Sequence, residues 1–278
     1  MMKCTSSIAS LHFRVFIPAV LCFHPPGKPS LKQQGRILQF DASSLRQAHF
    51  TGKRTNLRKK TLLSWSSGKD SAWSLLRLQQ DPQIDLRGIF SVMNERHDRV
   101  SMHATRRDLL VRQAVAAGLP LRTISLPDPC TMEQCDDIMK RFVAACAAEG
   151  IEALAFGDLF LEDIRRYREK QLQDTGMEPL FPLWGNPTRQ LAEEMLSRGL
   201  KAYVSSVDLR KLPADIAGRT WSTELLAELP EGCDHCGENG EMHTIAVAGP
   251  MFQRPISVSV GETLERDGFA YADIVPMD

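Results

Sequence analysis

Six consecutive residues, Ser66-Ser67-Gly68-Lys69-Asp70-Ser71, carry the functional groups that bind an anion. They follow the apolar run Thr61-Leu62-Leu63-Ser64-Trp65. They precede Ala72-Trp73-Ser74-Leu75-Leu76-Arg77-Leu78, whose apolar positions recur at helical spacing. The three pieces predict a strand, a tight loop and a helix. A helix that opens here aims free backbone N–H groups and the positive end of its dipole at one spot. Gly68 permits close backbone approach. Ser66 and Ser71 offer hydroxyls, Lys69 offers a positive charge, and Asp70 offers a carboxylate that reaches a metal held by phosphates. The loop is not a Walker A motif, in which Ser or Thr follows the Gly-Lys pair and a further Gly lies upstream. Here Asp70 follows Lys69.

A second group of reactive side chains lies near the C-terminus. Glu238, Glu241 and His243 fall within six residues. If residues 241–247 form a strand, Glu241 and His243 share a face. A carboxylate beside an imidazole tunes it for acid–base work. Gly237 and Gly240 permit a turn that returns Glu238 to the same cleft. The alternative is a solvated hairpin with ordinary surface carboxylates. Cys233-x-x-Cys236 has the spacing of half a zinc site or of a redox pair, but no second such pair exists. His235 and His243 are poorly spaced to complete a site, which favours packing or surface thiols.

The remaining chain must position these groups. Residues 86–93, 121–126 and 153–158 read as strands, the last including the turn at Gly157-Asp158. Residues 106–117 and 132–149 read as helices, stopped at Gly118 and Gly150. Strands alternating with helices predict an α/β fold, a doubly wound parallel sheet of Rossmann-like form. Ligands then bind beyond the carboxyl ends of the strands, where Ser66–Ser71, Gly157 and Asp158 all fall. From residue 161 the character changes. A charged helix carries Arg165, Arg166, Arg168, Glu169 and Lys170. A Pro-rich segment ends in Trp184-Gly185, and Trp184 reads as a packing anchor. Thr188–Arg198 reads as a helix capped at Thr188. Strands follow at 203–207, 242–248 and 256–260, the last two antiparallel. The predicted units are a basic N-terminal extension over 1–60, an ATP-binding-type domain over 61–160 and a smaller α+β substrate domain over 161–278.

Composition narrows the functions. Lys and Arg equal Asp and Glu at 34 each, so no global charge draws the chain to nucleic acid or anionic membrane. Residues 1–60 nevertheless hold eleven bases and one acid, which leaves the rest net acidic. A disordered tail or an upstream start, a transit peptide and a signal peptide are the three readings of that segment. Ordered structure is expected to begin near Leu62. No apolar run approaches the roughly 18 residues that span a membrane. Seven cysteines, an odd number in a chain this long, argue against a disulfide framework and for a reducing, cytoplasmic setting.

The loop resembles the pyrophosphate-loop signature Ser-Gly-Gly-x-Asp-Ser, with Ser67 in place of the second-position Gly. Further pieces agree: Met102-His103, Gly157-Asp158-Leu159, Pro182-Leu183-Trp184-Gly185, Ala214–Arg219 and the block Cys236–Thr244. From Leu62 to Phe252 the chain resembles the diphthine–ammonia ligase family, with a HUP-type nucleotide domain. The resemblance implies ATP and Mg2+, with Asp70 on the metal and Ser66, Ser67, Gly68, Lys69, Asp70, Ser71, His103, Gly157 and Asp158 around the nucleotide. It implies AMP-forming amide synthesis through an acyl adenylate. Ammonia is the nucleophile, and Glu238, Glu241 and His243 handle the acceptor or the ammonium proton. The acceptor is a carboxylate on an unidentified small molecule or protein. Two alternatives remain: a transfer-RNA-thiolating enzyme with the same ATP chemistry, disfavoured by the acidic balance of residues 61–278, and a non-catalytic nucleotide-binding module.

Overall fold

A computed structural model describes residues 58–101 and 103–277. The extension up to residue 57, and with it the three readings of that segment, lies outside the described residues, as does Met102. The first described element, β1 (Lys59–Ser64), starts three residues before Leu62. The chain continues through α1 (Lys69–Gln80), β2 (Ile84–Asn94), β3 (Arg99–Val100), α2 (Arg107–Ala117), β4 (Leu121–Leu126), α3 (Met132–Ala148), β5 (Ala153–Ala155), α4 (Glu162–Leu172) and β6 (Glu178–Leu180).

Five of these strands run parallel in the order β4-β2-β1-β5-β6, and the short β3 pairs antiparallel with β2. The chain first adds strands to one side of β1, then crosses to the other. A crevice opens where that direction reverses, at the carboxyl ends of β1 and β5. Successive strand residues face opposite ways, and β1 shows why both faces are apolar. Leu63 packs into the core shared with Trp73 and Leu75 of α1 and Leu109 and Leu110 of α2. Leu62 faces the other core, with Phe90, Ile124, Leu154 and, from α3, Val143 and Cys146. Helices thus cover both faces, as a parallel sheet requires.

The second unit holds α5 (Thr188–Ser197), β7 (Lys201–Asp208), β8 (Thr220–Trp221), α6 (Thr223–Glu228), β9 (Met242–Ala248), β10 (Val258–Arg266) and β11 (Phe269–Pro276). Its sheet is antiparallel, in the order β10-β11-β7-β8, with β9 also paired to β7. Ile245 and Ala246 of β9 and Trp221 of β8 belong to the same continuous core as α1 and α2. The second sheet therefore seats against the helix that opens at the Ser66–Ser71 loop.

Several expectations are corrected. The first sheet does not end at residue 160, because β6 pairs with β5; the boundary between sheets falls after Leu180. The strand expected at 256–260 is β10, which runs on to Arg266 and turns back as β11. Pro187, not Thr188, occupies the N-cap of α5, with no side-chain cap. No disulfide framework is expected, and Cys130 and Cys135 are joined by a single disulfide with Cα atoms 6.1 Å apart. Thr131 between them caps α3 in a capping box with Gln134. Residues just before the cap and four into the helix meet in such a start, which brings the two sulfurs together. Among the described residues no helix is long and apolar enough to cross a membrane.

Candidate functional site

The chain leaves β1 through a backbone that only part of the sequence suggests. Ser67 stands at φ 76, in the left-handed region, at the position where the signature has Gly. That conformation costs an L residue about 1–2 kcal/mol. Gly68, the N-cap of α1, has φ −80 and ψ 172, open to any residue. Its missing side chain serves space instead: a Cβ there would lie 3.1 Å from His103 Cε1 and 3.2 Å from the Thr244 carbonyl. Gly157 plays the same part across the crevice, where a Cβ would lie 3.2 Å from the Ser71 nitrogen. The first N–H groups of a helix have no intrahelical partner. That of Lys69 donates to Thr244 Oγ1 at 3.1 Å; those of Asp70, shared with its own carboxylate, and of Ser71 remain for an anion.

Lys69 is only 1% exposed. Its ammonium lies 2.8 Å from Asp70 Oδ2, donates to the Cys236 carbonyl and sits 5.5 Å from the Trp221 ring centroid. Burial works against the charge, but Asp70, Cys236 and Glu238 together outweigh it and hold Lys69 above the usual lysine value. One side chain thus ties the loop after β1 to the segment before β9.

Glu238 lies on that segment. Its backbone N–H donates to Asp234 Oδ2 at 2.7 Å, and its Oε1 accepts the N–H of Leu159 at 2.8 Å. Burial, followed by repulsion from Asp70, pushes its carboxyl up to about 8. Glu241 goes elsewhere. β9 begins at Met242, so Glu241 does not share a strand face with His243. It is 4% exposed, and its Oε1 accepts from the Asp234 N–H and from Asn239 Nδ2. His243 does face the cleft, its ring 4.6 Å from that of His103. Burial, then Lys69, pushes His243 down to about 4. Burial, then His243, lowers His103 well below the usual value.

Ser66, Lys69, Asp70, Ser71, His103, Gly157, Asp158, Glu238 and His243 line one cavity of about 860 Å³. Ser67 and Gly68 back it, and Glu241 braces the loop behind Glu238. On α4, Arg165 pairs with Glu169 and lies over the rings of Phe181 and Trp184, at 5.0 and 4.8 Å. Trp184 is therefore a platform for a neighbouring guanidinium as well as a packing group. Arg168 stands 3.7 Å from Asp158, while Arg166 and Lys170 are exposed at the rim of the cavity.

The residues fit a magnesium ion carried by phosphates. Asp70 Oδ1 and Asp158 Oδ2 are buried without a hydrogen-bond partner. Burial lifts both carboxyls above the usual range, against the pull of Lys69 on Asp70 and of Arg168 on Asp158. A cation beside Asp70 would answer both features. Among the described residues no group of three or more His, Cys, Asp or Glu is arranged for a metal, and phosphate-borne magnesium needs only one or two carboxylates.

Thr244, the last residue of the Cys236–Thr244 block, holds the start of α1. Two residues at the site carry no motif of their own: Asp234 holds the Glu238 loop, and Gln113 of α2 reaches the loop from beneath. Gln113 left one trace, a polar residue on a helix face otherwise made by Leu109, Leu110 and Ala117.

A doubly wound sheet whose first strand enters a helix through Ser-Ser-Gly-Lys-Asp-Ser has the architecture of the pyrophosphate-loop class. A model described as the diphthamide synthase N-terminal domain matches residues 59–179, and one described as the diphthamide synthase C-terminal domain matches residues 187–274. The chain belongs to the diphthine–ammonia ligase family. It is 25% identical to the diphthine--ammonia ligase of Rattus norvegicus over 231 residues, which are 75% of this chain and 86% of that one. The Danio rerio protein of the same name is 27% identical over 233 residues, 75% of this chain and 90% of the relative. The Homo sapiens protein is 26% identical over 184 residues, 64% and 68%.

Proposed function

We propose that the protein joins ammonia to a carboxylate at the expense of ATP, releasing AMP and pyrophosphate. The observation that carries this reading is the shared cleft: the pyrophosphate loop and Glu238 come from different sheets, yet Lys69 reaches both segments. The N–H groups of Asp70 and Ser71, with the Lys69 ammonium, bind the phosphates. Asp70, with Asp158 on the same cavity wall, would hold Mg2+, which would supply charge neutralisation at the phosphates. A carboxylate oxygen of the acceptor attacks the α-phosphorus, and the bond to the bridging oxygen breaks as pyrophosphate leaves. Ammonia then attacks the acyl carbon, AMP leaves, and the nitrogen loses a proton. Glu238, once ionised, receives that proton: its carboxyl is raised to about 8, and it stands against Leu159 beside the crevice. His103 and His243, held neutral, form an uncharged wall beside the phosphate loop.

The relatives are named for ligating ammonia to diphthine, and a diphthine carboxylate is the acceptor proposed here. A cytoplasmic setting is proposed with it. Turnover with ATP, Mg2+, ammonium and acceptor tests the reading. AMP and pyrophosphate are expected in equal amounts, and ADP with inorganic phosphate would reject it.

A further inference from the structure

Gln113 is wholly buried on α2, and every polar atom of its amide is engaged. Its Oε1 accepts the Trp65 indole N–H at 2.9 Å. Its Nε2 donates to the carbonyls of Ser67 at 3.0 Å and Ala246 at 2.7 Å. An indole N–H can only donate, so Trp65 fixes which way the amide faces. The Ser67 carbonyl accepts a second bond from the Ala246 N–H at 2.9 Å. Ser67 itself holds φ 76, and its hydroxyl is buried without a partner. An L residue stays in that region only where its surroundings over-determine it. The hydroxyl contributes nothing to that; the two bonds on the carbonyl do.

We propose that Gln113 is a positioning residue of the nucleotide site: by holding the Ser67 carbonyl it fixes the left-handed turn that aims the Asp70 and Ser71 N–H groups and the Lys69 ammonium at the phosphates of ATP. The inference rests on the reading of this loop as the ATP site. Gln113 does not line the cleft, so it acts through the loop. The same Nε2 bonds β9, which couples the loop's shape to the seating of the second sheet.

The test is a double-mutant cycle on the full chain, with ATP affinity measured calorimetrically in the presence of Mg2+. Gln113→Met keeps the volume and removes both donors. Ser67→Gly makes a positive φ cost-free. If Gln113 holds the turn, Gln113→Met weakens ATP binding by about tenfold or more in the natural background and by less than about threefold in the Ser67→Gly background. Equal losses in both backgrounds would mean that Gln113 only fills the core, and would overturn the proposal. So would unaltered affinity in Gln113→Met. If Gln113→Met alone does not fold, the double variant must recover both fold and ATP binding, and its failure to do so overturns the proposal as well. A wild-type protein that binds no ATP rejects the ATP reading and this inference with it. Binding in the wild type with a failed cycle rejects the inference alone.

Discussion

Glu238 accepts the backbone N–H of Leu159 at 2.8 Å, across 79 residues of chain. Leu159 follows the turn that closes β5, and Glu238 lies on the loop that leads into β9. The carboxylate is thus held at the seam between a parallel and an antiparallel sheet, next to Asp70 and Asp158. This geometry separates the roles of two glutamates that are three residues apart. Glu238→Gln removes a base from the cleft, and ammonia-dependent product formation should fall by about a hundredfold or more, with ATP affinity retained. Glu241→Gln keeps the Oε1 acceptor used by Asp234 and Asn239, and its loss of turnover should be small beside that of Glu238→Gln. Steady-state assays of both variants decide the assignment; the reverse ranking would move the base to Glu241.

Glu238 also leaves a signature in stability. Its carboxyl is raised by burial from the usual 4.5 to about 8 in the folded protein. The native state therefore holds this proton more tightly than the unfolded chain. Stability falls with pH wherever the native state binds more protons. Without nucleotide or Mg2+, the wild type should lose stability relative to Glu238→Gln as pH rises from about 4.5 to about 8. Above that window the difference should level off. Melting temperatures of the two proteins across this range provide the measurement, and a constant difference would show that Glu238 is not raised.

Asp70 has two partners to satisfy, and its removal should show both. Asp70→Ala withdraws the carboxylate proposed for magnesium, so Mg2+-dependent ATP turnover should disappear. It also leaves the buried Lys69 ammonium with the Cys236 carbonyl as its one hydrogen-bond acceptor among the described residues. Losing a charged hydrogen bond there should cost about 1–3 kcal/mol of folding stability. Denaturant unfolding checks the second point. The strand, loop and helix read from the sequence place Asp70 at a loop–helix junction, where no such cost is expected.

That difference shows what was legible. The strand–loop–helix unit, the doubly wound sheet and the bounds of β4 and β9 follow from apolar periodicity, because a half-buried element writes its own period into the chain. Gly68 told where space was needed, without telling that His103 and Thr244 need it; Gly157 read only as a turn residue, although Ser71 needs its missing side chain. Contacts across the seam had no such trace. Lys69 meets Cys236 at a separation of 167 residues, and Gln113 meets Ala246 at 133. Local pattern cannot encode which distant carbonyl a buried donor finds. The adjacency of Glu241 and His243 misled for a related reason: a strand that starts one residue later turns the side chain before it out of the alternation.

Gly68 offers a test that depends on space alone. Its φ of −80 suits alanine, so backbone strain would not oppose Gly68→Ala. The added methyl would instead press on His103 Cε1 at 3.1 Å and the Thr244 carbonyl at 3.2 Å. Overpacking of this kind costs about 1–3 kcal/mol. Gly68→Ala should therefore be destabilised, and His103→Ala should relieve part of that loss in the double variant. Unchanged stability in Gly68→Ala would show that the loop can move off β9.

Thr244 joins the phosphate loop to the second sheet by one bond that can be removed cleanly. Its Oγ1 accepts the Lys69 N–H at 3.1 Å, and Thr244 is 1% exposed. Water cannot replace that acceptor without opening the seam. Thr244→Val keeps the shape and strands the N–H, which costs about 1–3 kcal/mol. The stranded group lies at the first residue of α1, directly before the two N–H groups that face the phosphates. ATP binding should then weaken by roughly tenfold, the equivalent of about 1.4 kcal/mol. Thr244→Ser keeps the hydroxyl and should bind ATP nearly as well as the wild type. If serine and valine weaken ATP binding equally, the methyl group matters rather than the acceptor. In that case β9 supports the loop by packing alone.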